Sequence, residues 1–213
     1  MTSRFLVAKP SHDQGVRYLS AYSDPLIVSA LQKNIEVIDL SGKLDNFADF
    51  TIALEKHPNL ILINGHGLDD RITGQNNQVL ISTKLINKNL TKTIIYARSC
   101  LTANILGPKL ISKGTKSYIG YTKELIIVTS DGYDNNQLND PVAKVFLEPL
   151  NYNISELLNG HKTITAHNKS KTKLRKNIRF LLKSRVQQTR NIAAYLWHDH
   201  QCQVLLGAQN ATI

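Results

Sequence analysis

The sequence predicts an α/β layered domain built on a largely parallel sheet. Short apolar runs alternate with helix-like segments along the first 128 residues, the pattern of strand–helix–strand units. Leu60-Ile-Leu-Ile63 is apolar without interruption, as a strand buried on both faces is. The chain has 213 residues, 42% of apolar type and 20% charged, so it can bury a substantial core.

Phe5-Leu-Val-Ala8 reads as the first strand, ended by Lys9-Pro10. Polar residues follow, then a helix from about Pro25 to Asn34. Ile35 to Leu40 is the second strand, closed by Ser41-Gly42. Phe47, Phe50, Ile52, Ala53 and Leu54 mark a helix that stops at His57-Pro58. Leu60–Ile63 is the third strand, Val79–Ile81 a short excursion, and Thr93–Ala97 the fourth strand. Helical turns are expected over Leu101–Ser112, broken at Gly107-Pro108. Ser117–Tyr121 is the fifth strand, and Leu125–Val128 offers a further β segment. Residues 129–140 (TSDGYDNNQLND) are turn-forming, an ordinary surface loop on their own chemistry. Two or three helices then run from Pro141 to about Leu196, and Gln203–Leu206 is a last short strand. No internal repeat or low-complexity linker divides the chain, which reads as one domain over 1–213.

The composition excludes several classes. Two cysteines rule out a disulfide scaffold and a four-cysteine zinc site. No apolar run approaches the roughly 20 residues of a membrane helix, and the start, MTSRFLVAKPSHDQ, is too short in apolar residues for a signal peptide. The expectation is a soluble, cytoplasmic protein with reduced thiols and no membrane partner. No Walker-type loop and no Gly-x-Ser-x-Gly elbow is present.

The net charge of +10 is concentrated. Ten basic residues and no acidic one lie between Lys162 and Arg190, so the rest of the chain is balanced. One reading is a patch for nucleic acid or another polyanion. The favoured one is a solvated helix face, because Leu174, Ile178, Leu181, Leu182 and Val186 give that helix a side to bury and aromatic residues for base stacking are scarce.

Two strands end in chemistry-bearing residues. The third runs into Asn64-Gly-His-Gly67, the fourth into Arg98-Ser-Cys100. In a parallel α/β sheet, ligands bind beyond the carboxyl ends of the strands. If these two strands are neighbours, His66 and Cys100 share that crevice. A thiolate attacking a carbonyl carbon, with an imidazole handling protons, is cysteine nucleophilic catalysis. A helix starting at Cys100 would lower its thiol pKa. The glycines beside His66 permit a tight turn and close approach to substrate. The N–H groups of Gly67 and Cys100 are candidate oxyanion donors. Taken singly, a cysteine after an apolar strand is a small buried hydrophobe and a loop histidine titrates in water. The ordered pair on two strands outweighs those plainer readings. His198-Asp-His200 offers two imidazoles, too few ligands for a metal site, and Cys202 reads as packing.

ILINGHG, then IIYARSC, then a helix, then Gly114-Thr-Lys-Ser-Tyr-Ile-Gly-Tyr121 resemble the caspase-like cysteine peptidases of clan CD, most of all the bacterial CHAT and gingipain-like branches. The terminal VLLGAQNATI is similar to the Leu-Gly-Asp-Pro ending of gingipain-like domains, with Ala208 where Asp is usual. The Gln-Ala-Cys-Arg-Gly pentapeptide of caspases is absent. The resemblance covers about residues 59–121 and implies a three-layer sandwich with a mostly parallel central sheet flanked by helices. In that frame 1–128 is the sheet core, 129–140 a cleft loop, and 141–213 basic helices with a terminal strand.

The resemblance implies that His66 and Cys100 are the catalytic pair and Gly67 the oxyanion glycine. It implies a substrate pocket walled by Arg98, two residues before the cysteine, and by the loop holding Asp13 and Arg17. An Arg98 aimed into the pocket would prefer an acidic side chain. Asp13 or Asp131 as its floor would prefer a basic one, and an Arg98 paired with a surface carboxylate would do neither. These three options stand level. The implied activity is that of a cysteine endopeptidase acting through an acyl-enzyme on a protein substrate, with no redox or nucleotide cofactor. The chain has no EF-hand-type loop, so calcium is not expected. Control by a regulatory protein partner, narrow specificity or an activating cut is expected, as is a role in bacterial defence. The main rival is a caspase-like binding module whose basic helix docks on nucleic acid or an acidic partner. A third option is acyl transfer to a small substrate.

Overall fold

A computed structural model describes residues 3–213. In chain order the elements are β1 (Arg4–Lys9), α1 (Gln14–Ala21), α2 (Asp24–Gln32), β2 (Glu36–Ser41), α3 (Phe47–Glu55), β3 (Leu60–Asn64), β4 (Gly67–Leu68), β5 (Arg71–Thr73), β6 (Val79–Ser82), β7 (Ile94–Arg98), α4 (Leu106–Ser112), β8 (Ser117–Tyr121), α5 (Pro141–Leu158), α6 (Thr163–Leu182), α7 (Gln187–Cys202) and β9 (Gln203–Gly207). The main sheet has the order β2-β1-β3-β7-β8-β9. Its first five strands are parallel, and β9 closes the far edge antiparallel to β8.

The strand residues divide between two cores because successive side chains point to opposite faces. Phe5, Val7, Leu60, Leu62, Tyr96 and Tyr121 pack under α1, α2, α5, α6 and α7. Leu6, Ala8, Ile61, Ile63, Ile95 and Tyr118 pack on the other face against α3, α4 and the small sheet β4-β5-β6. Helices on both faces of a mostly parallel sheet make three layers, as the sequence predicts.

The differences from expectation have local causes. Leu125–Val128 is not a strand, because β9 already fills the edge of β8. Its amides bond side chains instead: Leu125 N–H donates to Cys100 Sγ and Ile126 N–H to Asp199 Oδ1. The helix expected from Leu101 begins at Leu106, with turns between them. Pro108 then lies in the first turn, where a missing N–H costs nothing. The basic helix α6 buries Leu174, Ile178 and Leu181, but Leu182 is exposed, and Val186, exposed too, lies past its end at the N-cap of α7. The 129–140 loop is anchored by Asp140. This buried carboxylate caps α5 through the Val142 and Ala143 amides and accepts from the Ser130 amide and the Tyr18 hydroxyl of α1. No described helix is long and apolar enough to cross a membrane.

Candidate active site

β3 and β7 are adjacent and in register, with Asn64 opposite Arg98. Two residues beyond that pair, both chains have cleared the sheet, one at His66 and the other at Cys100. Both line one cavity of about 170 Å³, with Gly15, Val16 and Leu19 of α1 on one side and Leu125 and Ile127 on another. The sequence order changes direction between β1 and β3, since β2 lies to one side of β1 and β3 to the other. The crevice therefore opens where an α/β sheet places ligands.

Two close approaches hold the histidine loop. A Cβ on Gly65 would come within 1.9 Å of the Thr73 carbonyl oxygen. A Cβ on Gly67 would come within 2.4 Å of the Cys100 carbonyl oxygen and 2.5 Å of Thr102 Cγ2. Only glycine lets the His66 loop lie flat against the Cys100 turn. The His66 carbonyl accepts from the Thr73 amide at 2.9 Å, tying the loop to β5. On the other side, Leu101 has φ 63°, in the left-handed region that a branched side chain adopts at a cost. That turn is clamped to the end of β8 by Ala103 N–H to Tyr121 O, 3.0 Å, and to the segment after it by Leu101 N–H to Lys123 O, 3.1 Å.

His66 is about half exposed, and its Nε2 lies 2.6 Å from Asp13 Oδ2. Asp13 is the N-cap of α1, where its Oδ1 accepts the Val16 amide at 3.0 Å. Burial works against its charge, but hydrogen bonds from His66 and Val16 outweigh that and hold the carboxyl below its ordinary range. An ionised Asp13 can only accept, so Nε2–H donates to it and the neutral ring keeps its lone pair on Nδ1.

The resting Cys100 is a thiol. Its pKa lies above the ordinary cysteine range, chiefly through burial, with Glu124 and Asp199 adding to the rise and the Leu125 amide opposing it. The expected lowering fails because the helix starts six residues later, so no dipole end meets the sulfur. Cys202 is the packing residue expected: it is buried, and its pKa is pushed up to about 12 by burial and by Asp199.

Arg98 is wholly buried at the cavity wall. Its guanidinium lies over the Tyr96 ring, 5.4 Å from the centroid, and donates to Asn151 Oδ1 and to the Leu19 carbonyl. No carboxylate pairs with it among the described residues, and its Nε has no partner. The surface-carboxylate option for Arg98 is therefore overturned. Arg17 lies one position past Val16 on α1 and is not among the cavity's lining residues, since one helical step turns it about 100° away. Asp13 touches His66 rather than lining the cavity, and Asp131 is exposed on its loop.

Sequence reasoning missed His12 and the bond from Asp13 to His66. The rule that located His66 and Cys100 applies equally to the end of the first strand, where His12-Asp13 stands.

No protein-family model matches the chain, and no curated protein matches it. Solved structures do. The chain superposes on the Arg-specific cysteine proteinase gingipain R (RgpB) with TM-score 0.55 at 12% identity, covering 99% of this chain and 47% of that one. A complex of the Porphyromonas gingivalis RgpB pro- and mature domains matches with the same score and identity, covering 97% of this chain and 47% of that one. The chain spans about half the length of these structures. The likeness is one of fold: this is the caspase-like α/β fold of the clan CD cysteine proteinases.

Proposed function

We propose that the protein is a cysteine endopeptidase, with residues 1–213 acting as one peptidase domain. The observation that carries this reading is the shared cavity of His66 and Cys100, in a fold that gingipain R also has. Cys100 attacks the peptide carbonyl carbon while its proton passes to His66 Nδ1, directly or through one water. The backbone N–H groups of Gly67 and Cys100 hold the tetrahedral oxyanion. Such a donor is typically worth about 2.7–4 kcal/mol. Asp13 steadies the imidazolium, which then gives its proton to the leaving amine. Water hydrolyses the acyl-enzyme by the reverse sequence.

The cavity walls favour an acidic or apolar side chain before the scissile bond over a basic one. Asp13, the candidate acidic floor, is engaged by His66. Gly15, Val16, Leu19, Leu125 and Ile127 are apolar, and the fixed charge at the wall is the unpaired Arg98 cation. An unpaired buried cation attracts an anion strongly in a low-dielectric site.

A proteome-wide search for new N-termini, comparing the wild type with Cys100→Ala, tests the activity. New termini following Asp, Glu or apolar residues, lost in the variant, are expected. A peptide-based alkylating probe is expected to label Cys100 and leave Cys202 unlabelled, with a rate that climbs with pH past the ordinary cysteine range. No substrate cleavage, together with salt-dependent nucleic-acid binding, would support the binding module instead.

A further inference from the structure

We infer that His12, Asp13 and His66 form a zinc site whose occupation switches the active site off. One ring nitrogen each of His12 and His66 and an Asp13 carboxylate oxygen all lie within 4.8 Å of one another. His12 is nearly enclosed, its side chain 12% exposed. Both of its ring nitrogens are buried without a hydrogen-bond partner among the described residues. Its Nε2 is 3.3 Å from Asp13 Oδ2 but misaligned for a hydrogen bond, and its ring meets that of His66 edge-on with centroids 5.8 Å apart. Burying an imidazole with neither nitrogen satisfied is costly. A cation held between the three groups satisfies Nε2 and uses the lone pair that this geometry leaves idle.

The donor set narrows the ion to a divalent transition metal, of which zinc is the one tested. Two imidazole nitrogens and one carboxylate oxygen suit zinc, whereas magnesium and calcium favour sets made of oxygen alone. Bonds of about 2.0–2.2 Å place tetrahedral neighbours about 3.3 Å apart. The Asp13–His12 separation already has that value. The Asp13–His66 contact, now 2.6 Å, must widen as zinc takes the place of the shared proton, which passes through solvent to His66 Nδ1 so that the bound ring stays a neutral imidazole. His66 is half exposed and free to make that shift. Three protein ligands leave a fourth position for water. Zinc binding requires only this geometry. Its inhibitory consequence rests on the proposed peptidase reading, because zinc on Nε2 leaves the ring proton on Nδ1, the nitrogen that receives the thiol proton in that reading.

The test is a Co²⁺ and Zn²⁺ titration of the full chain, followed by absorption and calorimetry. One equivalent of Co²⁺ is expected to give visible ligand-field bands without a thiolate charge-transfer band. His12→Gln is expected to weaken both metals by about 100-fold or more. It should keep the wild-type melting temperature and metal-free cleavage rate, and resist zinc inhibition. Cys100→Ser should bind metal as the wild type does. Binding that survives His12→Gln but falls in Cys202→Ser would place the ion at His198, Asp199 and Cys202, whose ligand atoms also converge, and would overturn the inference. So would no binding at micromolar metal. Metal binding lost in His12→Gln, from a chain that cleaves nothing, would leave the site standing and remove the peptidase reading. Cleavage insensitive to zinc would do the reverse.

Discussion

Asp13→Asn separates the two jobs of one side chain. Oδ1 of Asp13 caps α1 by accepting the Val16 amide at 3.0 Å, while Oδ2 accepts the hydrogen bond of His66 Nε2–H at 2.6 Å. Asparagine is as good an N-cap as aspartate, so the helix should survive, less the charge–dipole attraction of about 0.3–1 kcal/mol. The atom facing His66 becomes an amide nitrogen, which donates. Nε2 must then accept, the ring proton moves to Nδ1, and the nitrogen meant to receive the thiol proton is already occupied. Cleavage should fall by about 10²-fold, the lower end of what a positioned acid–base group contributes. The assay is kcat on a cleaved peptide, with the melting temperature and the imidazole ¹⁵N spectrum of His66 as companions. The spectrum should report the tautomer switch, which a purely structural role for Asp13 would not produce. A variant within threefold of wild-type kcat, or one whose His66 tautomer is unchanged, would refute the reasoning.

Gly67→Ala should force the Cys100 turn back by about 1 Å to restore an ordinary contact, costing about 10²-fold in kcat and roughly 1–3 kcal/mol of stability; undiminished turnover would count against the close approach. Arg98→Met should erase any preference for Asp or Glu before the scissile bond in a peptide library, and an unchanged preference would place its origin elsewhere. Stability should be level from pH 4 to 6.5 and fall from 6.5 to 8. Burial raises Asp45 and Asp199 to about 8, so between about 4 and 8 the folded chain holds protons that the unfolded chain releases. Burial lowers His167 and His200 to about 4, so up to about 6.5 the unfolded chain holds the extra protons and the two effects oppose. Urea midpoints at pH 5, 6.5 and 8 measure this; Asp45→Asn should reduce the later fall, and a midpoint rising from 6.5 to 8 would contradict it.

The strands were legible because burial on both faces leaves an unbroken apolar run, and β1, β3 and β7 each contain one, while β8 shows the same burial through Tyr118, Ile119 and Tyr121. His66 and Cys100 were legible for the same reason: the runs end there, and parallel pairing in register turns two positions in the sequence into one rim. The apolar signal fails where polar groups do the positioning. α1 offers few apolar residues and takes its place through Asp13 at its cap and the Tyr18 hydroxyl on Asp140. β4, β5 and β6 have two to four residues each, too few for a period to show. Leu125–Val128 carries a strand's composition but no strand, because strand formation needs a free edge and β9 arrives there from the far end of the chain. Arg98 shows the same limit from the charged side. Its position two before the cysteine can be read from sequence, but its burial without an acid depends on Tyr96, Asn151 and Leu19 converging from three elements. On the proposed peptidase reading, side-chain preference would rest on this long-range packing, and substitutions at Asn151 or Tyr96 should alter it without touching His66 or Cys100.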